Sequence, residues 1–179
     1  MVSGEICGGD RTPLVIVDGH LTAQRYIDQI IRPAVLPYLQ QQPHGDLYQQ
    51  DNARPHTAHV VQQVFAANNV SVLPWPARSP DMSPREHLWD IMDRRIRQRP
   101  HTDTPSNGHD LVRALQEEWQ RIPRDLIRRL TFSMRRRLLA CMEATHVTDG
   151  TLRRSLSGIV CSSYSVNILT FRFLYPTRL

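Results

Sequence analysis

The sequence predicts an α/β domain with a mixed sheet, flanked by helices and followed by a helical C-terminal end. Short β-branched and apolar runs that suit buried strands alternate with longer stretches whose apolar residues recur every three or four positions. From residue 107 to residue 143 only the helical period continues. Alternating strands and helices are typical of α/β folds, so we expect one sheet covered by helices and a last helical layer.

Composition limits the class of protein. The chain has 179 residues, enough for one domain with a core, and 40% of them are hydrophobic. We expect no membrane association, because no run of about 18 apolar residues occurs. Residues 1–9 lack the pattern of a secretory signal, so we expect a nuclear or otherwise intracellular protein that is not secreted. Three distant cysteines without CxxC spacing predict neither disulfides nor a zinc site.

The net charge is +5, and all 22 basic residues are arginine. Arginine binds phosphate through two parallel hydrogen bonds and stacks on bases, so this bias suits a nucleic-acid partner. A solvated basic surface accounts for it equally well. Charge therefore does not decide the function.

Three strands are predicted in the first half of the chain. Residues 14–17 form a β-branched run that an Asp-Gly turn closes, 47–50 form a second strand that ends before Asp51, and 70–73 form a third. Each run is short and lies between turn or helix signals. This spacing favours strands that alternate with helices.

Five helices are predicted. Thr22 caps the first, and the second covers 57–69 with an Asn-Asn stop. Ser83 begins the third, followed by a proline at the first helical position. The last two, 107–122 and 123–143, carry arginines opposite their apolar stripes.

Two acidic segments stand out. Residues 50–58 read Gln-Asp-Asn-Ala-Arg-Pro-His-Thr-Ala and place Asp51 at a strand end. Residues 79–89 read Ser-Pro-Asp-Met-Ser-Pro-Arg-Glu-His-Leu-Trp and place Glu86 in the first turn of a helix, with 34 residues, 52–85, between the two carboxylates. A strand end and a helix start can converge in space, and carboxylate oxygens are the ligands that Mg²⁺ prefers. Taken singly, each residue also has a purely structural alternative. Asp51 could terminate a strand and do nothing more, and Glu86 could complete a capping box with Ser83 and do nothing more.

Together the two segments resemble the mariner-like transposases, whose nuclease domain resembles ribonuclease H. In that family the second catalytic Asp lies in a strand-ending Asp-Asn-Ala-x-x-His, and the catalytic Glu follows a Ser-Pro-Asp-x-x-Pro loop ahead of x-Leu-Trp. Residues 11–19 and 22–27 are similar to the flanking family segments, so the resemblance covers 1–146. It implies a ribonuclease H-like mixed sheet, with Asp51 and Glu86 as catalytic residues that bind Mg²⁺ or Mn²⁺. In the loop, Asp81 is then the residue that forms a turn.

The resemblance also implies contacts with DNA. Four residues around the two segments are predicted to bind it: Asn52, Arg54, His56 and Arg85. For the two arginines a solvated surface is an equal alternative, and His56 could instead position a ligand or pack. The run 135–137 of three arginines could contact phosphate, and an exposed helix face explains it equally well.

One family feature has no counterpart in the sequence. The family's first catalytic carboxylate sits on the opening strand of the domain, and the resemblance aligns neither Asp10 nor Asp18 with it. We therefore expect a sheet that lacks its first strand and leaves a hydrogen-bonding edge open. We predict that 1–146 form a partial catalytic domain and that 147–179 form an appended tail with little regular structure.

These expectations define two functions. The first is a transposase-derived, metal-dependent domain for DNA strand cleavage and transfer that is inactive alone. Its partners would be transposon ends, target DNA, and further copies of the chain or a full-length transposase. The alternative is a non-catalytic protein that binds DNA or interacts with a transposase.

Overall fold

The structure is a computed structural model and describes residues 1–41, 47–73, 75, 83–100, 103–144 and 166–170. Its strands are β1 (Val2–Ser3), β2 (Ile6–Cys7), β3 (Asp10–Arg11), β4 (Val15–Ile16), β5 (Leu47–Gln50), β6 (Ser71–Val72) and β7 (Val166–Thr170). Its helices are α1 (Ala23–Tyr26), α2 (Leu36–Gln40), α3 (Arg54–Thr57), α4 (His59–Ala67), α5 (Pro84–Arg97), α6 (Gly108–Arg121) and α7 (Arg124–Ala144), and a π-helix (Ile27–Val35) joins α1 to α2. Within the described residues, no helix has the length and apolarity needed to cross a membrane.

A three-stranded parallel sheet in the order β6-β5-β7 carries the candidate site. Leu47 is opposite Ser71 of β6 and Val166 of β7, and Gln50 is opposite Thr170. Both edges of β5 are therefore paired, so the open edge that we expected does not occur at this strand. The strand that pairs the second edge comes from the segment predicted to be a tail. The N-terminal strands form two separate antiparallel pairs, β1 with β4 and β2 with β3.

One hydrophobic core packs the α1–α2 region and α4 against β5. Thr22 caps α1 as predicted, because its side-chain oxygen accepts a hydrogen bond of 3.2 Å from the Arg25 backbone N–H. The predicted second helix is divided at Ala58, whose ψ of 140° separates α3 from α4. Asn69, with φ 55°, follows α4 in the left-handed conformation at the predicted stop. The largest buried side chains of this core are Tyr26, Ile30, Ile31, Tyr48 and Phe65.

A second core joins α5, α6 and α7 to β1 and β2. Trp89 of α5 and Trp119 of α6 stack with ring centroids 5.8 Å apart and planes 15° from parallel, and both side chains are buried. The Trp119 indole donates a 2.8 Å hydrogen bond to the Thr12 carbonyl. This bond links the helical layer to the N-terminal strands.

A buried ion cluster connects the end of α5 to α6. Glu118 accepts a 2.7 Å hydrogen bond from Arg99 and a 3.1 Å bond from Arg121. The side chains of Glu118 and Arg99 are only 6% and 13% exposed. The charges are therefore removed from water but compensate one another.

Candidate active site

Asp51 follows β5 directly, at the edge where the parallel strands end. Its Oδ1 accepts a 3.0 Å hydrogen bond from the backbone N–H of Ala53, which is the geometry of an Asx turn. The side chain is 35% exposed. Asp51 therefore ends the strand, as one sequence alternative proposed, and remains accessible from solvent.

His56 contacts this carboxylate through its imidazole ring. Its Nδ1 lies 2.5 Å from Oδ1 of Asp51, and its ring centroid lies 4.4 Å from that of Tyr26. The ring is 1% exposed. Because a carboxylate accepts hydrogen bonds, we assign the proton of this contact to Nδ1. The burial of the ring favours the positioning role for His56 over a contact with DNA.

The second ring nitrogen of His56 has no hydrogen-bond partner among the described residues, and it is buried. Most buried polar atoms in proteins are paired, so an unpaired one requires a reason. Among the described residues, the ring therefore makes one side-chain hydrogen bond, from Nδ1 to Asp51. The contact therefore fixes the orientation of the carboxylate at the strand end.

A chain of buried side chains holds the segment that carries His56. The Gln50 amide donates a 3.1 Å hydrogen bond to the His56 carbonyl and accepts a 3.1 Å bond from the Tyr26 hydroxyl. The hydroxyls of Tyr26 and Tyr48 are 2.9 Å apart. Since the single hydroxyl proton of Tyr26 goes to Gln50, Tyr48 is the donor in that contact. Sequence reasoning missed this network, although a glutamine pair in a buried strand was an available signal.

The other predicted DNA-binding residues differ in their surroundings. Asn52 is exposed, and its amide donates a 2.7 Å hydrogen bond to the Trp75 carbonyl. Arg54 is exposed at the first position of α3. Arg85 lies in the first turn of α5, and its side chain is outside the described residues, as is Asp81. Contact of Asn52, Arg54 and Arg85 with DNA stays a prediction.

Glu86 lies in the first turn of α5 and is half-buried. Ser83 is the N-cap residue with an extended backbone, but its side chain makes no capping hydrogen bond. The Ser83 half of the predicted capping box is therefore not formed. A carboxylate in this position lies at the positive end of the helix dipole.

The donor set suits a hard divalent cation. Asp51 and Glu86 both offer carboxylate oxygens, and Mg²⁺ commonly binds one or two carboxylates and completes its shell with water and phosphate. The described part of the chain contains no group of three or more His, Cys, Asp or Glu residues placed to hold a metal. Asp51 and Glu86 are of the chemical type that binds Mg²⁺ or Mn²⁺, and their joint binding of such an ion stays a prediction.

A cavity of about 380 Å³ lies beside this strand end. Its lining includes Gln50, Asn52 and Trp75, together with apolar side chains of α4 and β6. The volume is within the usual range of small-molecule pockets. A ligand bound in this cavity would lie next to Asn52, the residue that follows Asp51.

The fold is that of a known class of catalytic domain. The chain is similar in structure to the catalytic domain of Mos1 mariner transposase, with a TM-score of 0.57 over 74% of each chain and 21% sequence identity. The model of the family described as DDE superfamily endonuclease matches residues 1–106. The chain belongs to this family.

Relatives in sequence include transposases of transposable elements. The chain is 32% identical over 145 residues to the Tcb2 transposase of Caenorhabditis briggsae. The aligned region covers 80% of this chain and 51% of that protein. It is 35% identical over 118 residues to the Tc1 transposase of Caenorhabditis elegans. That aligned region covers 65% of this chain and 42% of that protein. The chain therefore spans about half the length of these relatives. The predicted resemblance to mariner-type transposases is confirmed.

Proposed function

We propose that this chain is part of a catalytic domain that cuts and joins DNA strands with divalent metal ions bound by Asp51 and Glu86. The observation that carries the proposal is the fixed carboxylate of Asp51. It lies at the end of a parallel strand, and buried His56 contacts it through Nδ1. The motif Asp-Asn-Ala-x-x-His that contains both residues belongs to a chain of the DDE endonuclease family.

The residues of this site would act by position and charge. Mg²⁺ or Mn²⁺ at the two carboxylates would activate water and stabilise the charge that builds on the phosphate. His56 and the Ala53 N–H both bind Oδ1 of Asp51, so they restrict the carboxylate to one orientation. Arg54, which is exposed and lies three residues after Asp51, would bind a phosphate of the substrate through its guanidinium. The substrates that we propose are transposon ends and target DNA.

The 179 residues supply two of the three carboxylates that the family resemblance calls for. Fewer ligands weaken metal binding, so we propose that this stretch of chain alone cuts DNA poorly or not at all. Its function would then require further copies of the chain or a full-length transposase. We also propose a nuclear or otherwise intracellular location.

Metal binding is the first test. Calorimetric titration with Mn²⁺ should show binding that Asp51→Asn and Glu86→Gln each weaken at least roughly tenfold. Asp90→Asn is the matched control, because Asp90 lies on the same helix as Glu86 but pairs with Arg94 at the surface. Equal Mn²⁺ affinity in Asp51→Asn or Glu86→Gln and the parent chain would contradict the site.

Cleavage is the second test. The purified chain, incubated with Mg²⁺ or Mn²⁺ and end-labelled transposon-end DNA, should give little or no product. Robust cleavage that Glu86→Gln abolishes would refute the inactivity and support the metal-dependent reaction. Robust cleavage that survives both Asp51→Asn and Glu86→Gln would refute the proposed catalytic residues.

A non-catalytic DNA-binding or transposase-interacting protein is the second candidate. The observation in its favour is the arginine-rich exposed face of α7, combined with the absence of a third acidic ligand among the described residues. This candidate predicts DNA binding in the presence of EDTA, with an affinity that falls steeply as salt increases. Affinity that does not change between low and moderate salt would argue against it.

A further inference from the structure

The two carboxylates of the candidate site belong to elements that pack into different hydrophobic cores. The strand β5, which ends before Asp51, contributes Tyr48 to the core around α4. The helix α5, whose first turn carries Glu86, packs in the second core through Leu88 and Trp89. Packing within either core therefore does not by itself fix one carboxylate relative to the other.

The chain passes from one core to the other between β6 and α5. Val72 packs against the core around α4, and the Leu73 N–H donates a 2.8 Å hydrogen bond to the Tyr48 carbonyl. The chain then runs through Trp75 to Ser83, where α5 begins. We call residues 73–83 the connecting segment. A contact that holds this segment affects where α5 begins relative to the end of β5.

Asn52 holds the connecting segment from the side of Asp51. Its side-chain amide donates a 2.7 Å hydrogen bond to the backbone carbonyl of Trp75, which is 23 positions away in the sequence. Asn52 follows Asp51 directly. The bond therefore joins the residue next to one carboxylate to the segment that leads to the other.

The other end of the connecting segment is held from the second core. Ser83 is the N-cap residue of α5, and its carbonyl accepts a 3.5 Å hydrogen bond from the Arg137 guanidinium. Arg137 lies on the side of α7 that carries the buried Met134. The connecting segment is thus held by Asn52 near the strand and by Arg137 at the helix.

We propose that Asn52 is a positioning residue, which sets the place of Glu86 relative to Asp51 by holding the Trp75 carbonyl. The inference rests on the proposed function, because it concerns the site that the two carboxylates would form. It gives Asn52 a role other than the predicted contact with DNA. A side-chain amide suits this role because it donates to a carbonyl without bringing a positive charge to a cation site, whereas a carboxylate there could only accept.

Calorimetric titration with Mn²⁺ tests the effect on the site. Asn52→Ala should weaken Mn²⁺ binding by roughly 2- to 10-fold, the equilibrium effect of one hydrogen bond. In a Glu86→Gln background the same substitution should change the affinity by less than about twofold, because the carboxylate that Asn52 positions is already absent. Asn68→Ala is the matched control, since the exposed Asn68 amide donates a 2.8 Å bond to the nearby Val64 carbonyl.

The fluorescence of Trp75 gives a second measurement that needs no metal. Of the three tryptophans, Trp75 is half-buried, whereas Trp89 and Trp119 are buried. In EDTA, Asn52→Ala should increase the quenching of tryptophan fluorescence by acrylamide, because the backbone of Trp75 is released. Adding Asn52→Ala to a Trp75→Phe variant should cause no increase. The melting temperature of each variant verifies its fold.

Three results would overturn the inference. The first is measurable Mn²⁺ binding that is unchanged in Asn52→Ala, and the second is an equal loss of affinity with and without Glu86→Gln. The third is unchanged quenching together with weaker binding of transposon-end DNA in EDTA, which would favour a DNA contact for Asn52.

Failure of the inference differs from failure of the proposed function. A parent chain that binds no Mn²⁺ would refute the metal site. Increased quenching in Asn52→Ala would then still support Asn52 as the residue that holds the connecting segment, because the quenching assay contains EDTA.

Discussion

The Nδ1 atom of His56 lies 2.5 Å from Oδ1 of Asp51, and the imidazole that carries it is buried against Tyr26. The same oxygen accepts the Ala53 N–H. One oxygen of the carboxylate is therefore held from two directions. In metal sites, partners of this kind orient the ligands that bind the ion.

Replacing His56 should weaken metal binding in a way that depends on where the new nitrogen lies. The side-chain nitrogen of asparagine is as many bonds from Cα as Nδ1 is, whereas that of glutamine is one bond farther. We expect His56→Gln to lower Mn²⁺ affinity by roughly 10- to 100-fold and His56→Asn to retain most of it. Calorimetric titration measures both.

The two His56 variants control each other, because both remove the imidazole and its packing on Tyr26. Thermal unfolding should show a similar loss of stability in each. If Mn²⁺ affinity falls equally in both variants, His56 contributes only packing and does not position Asp51.

Glu118→Gln should destabilise the domain by about 1–3 kcal/mol, because it leaves the nearly buried charge of Arg99 with less compensation. Asp90→Asn is the matched control, since the Asp90–Arg94 pair is exposed, and its loss should cost at most about 0.5 kcal/mol. Urea denaturation of the two variants gives both values. Equal losses would show that the buried cluster contributes no more than a surface pair.

The same cluster predicts a dependence of stability on pH. Burial alone would raise the pKa of Glu118, but the hydrogen bond and charge of Arg99, and then those of Arg121, outweigh it and lower the pKa below its usual 4.5. A carboxylate with a lowered pKa stabilises the fold above its unfolded pKa and loses that contribution as pH falls through the folded pKa.

The stability difference between the parent chain and Glu118→Gln should therefore be constant above about pH 5.5 and decrease as the pH falls below about 4.5. Urea denaturation between pH 3 and pH 7 measures it. Asp110 also has a lowered pKa, chiefly through its hydrogen bond from Ser106, but it titrates in both proteins and cancels in the difference. A difference that grows on acidification would contradict the assignment.

Removal of β7 should expose one edge of β5. A chain that ends at Ala144 lacks β7, so the amides of Leu47–Gln50 that bond to it should exchange with deuterium faster. Such an edge also favours association, which light scattering after size-exclusion chromatography detects. A chain that ends at Thr170 keeps β7 and is the control. Equal exchange in the two chains would contradict the pairing.

Local signals in the sequence predicted much of the fold. The Thr22 cap, the stop at Asn69 and the strand that ends before Asp51 all depend on residues within a few positions of each other. The prediction of one helix over 57–69 was less accurate, because the chain bends at Ala58 and divides the segment into α3 and α4. In α4, Val61 and Phe65 are buried and Val60 is exposed.

Long-range features were not predicted. The pairing of β7 with β5 depends on a partner more than a hundred residues away, and a five-residue run carries no period that identifies it. The contact between His56 and Asp51 was left open, because the motif places both residues near the strand end but does not show which way the imidazole turns. For Glu86, the predicted helix start is confirmed, and its role as a metal ligand stays a prediction.

The order in which the strands are synthesised has a consequence for biogenesis. Residues 47–50 leave the ribosome long before 166–170, which supply the second neighbour of β5. At ordinary translation rates of about 5–20 residues per second, the edge of β5 that later pairs with β7 would expose its backbone amides and carbonyls for roughly 6–24 s. Nascent chains with an unpaired strand edge are prone to aggregate, and they are substrates for chaperones that shield such edges.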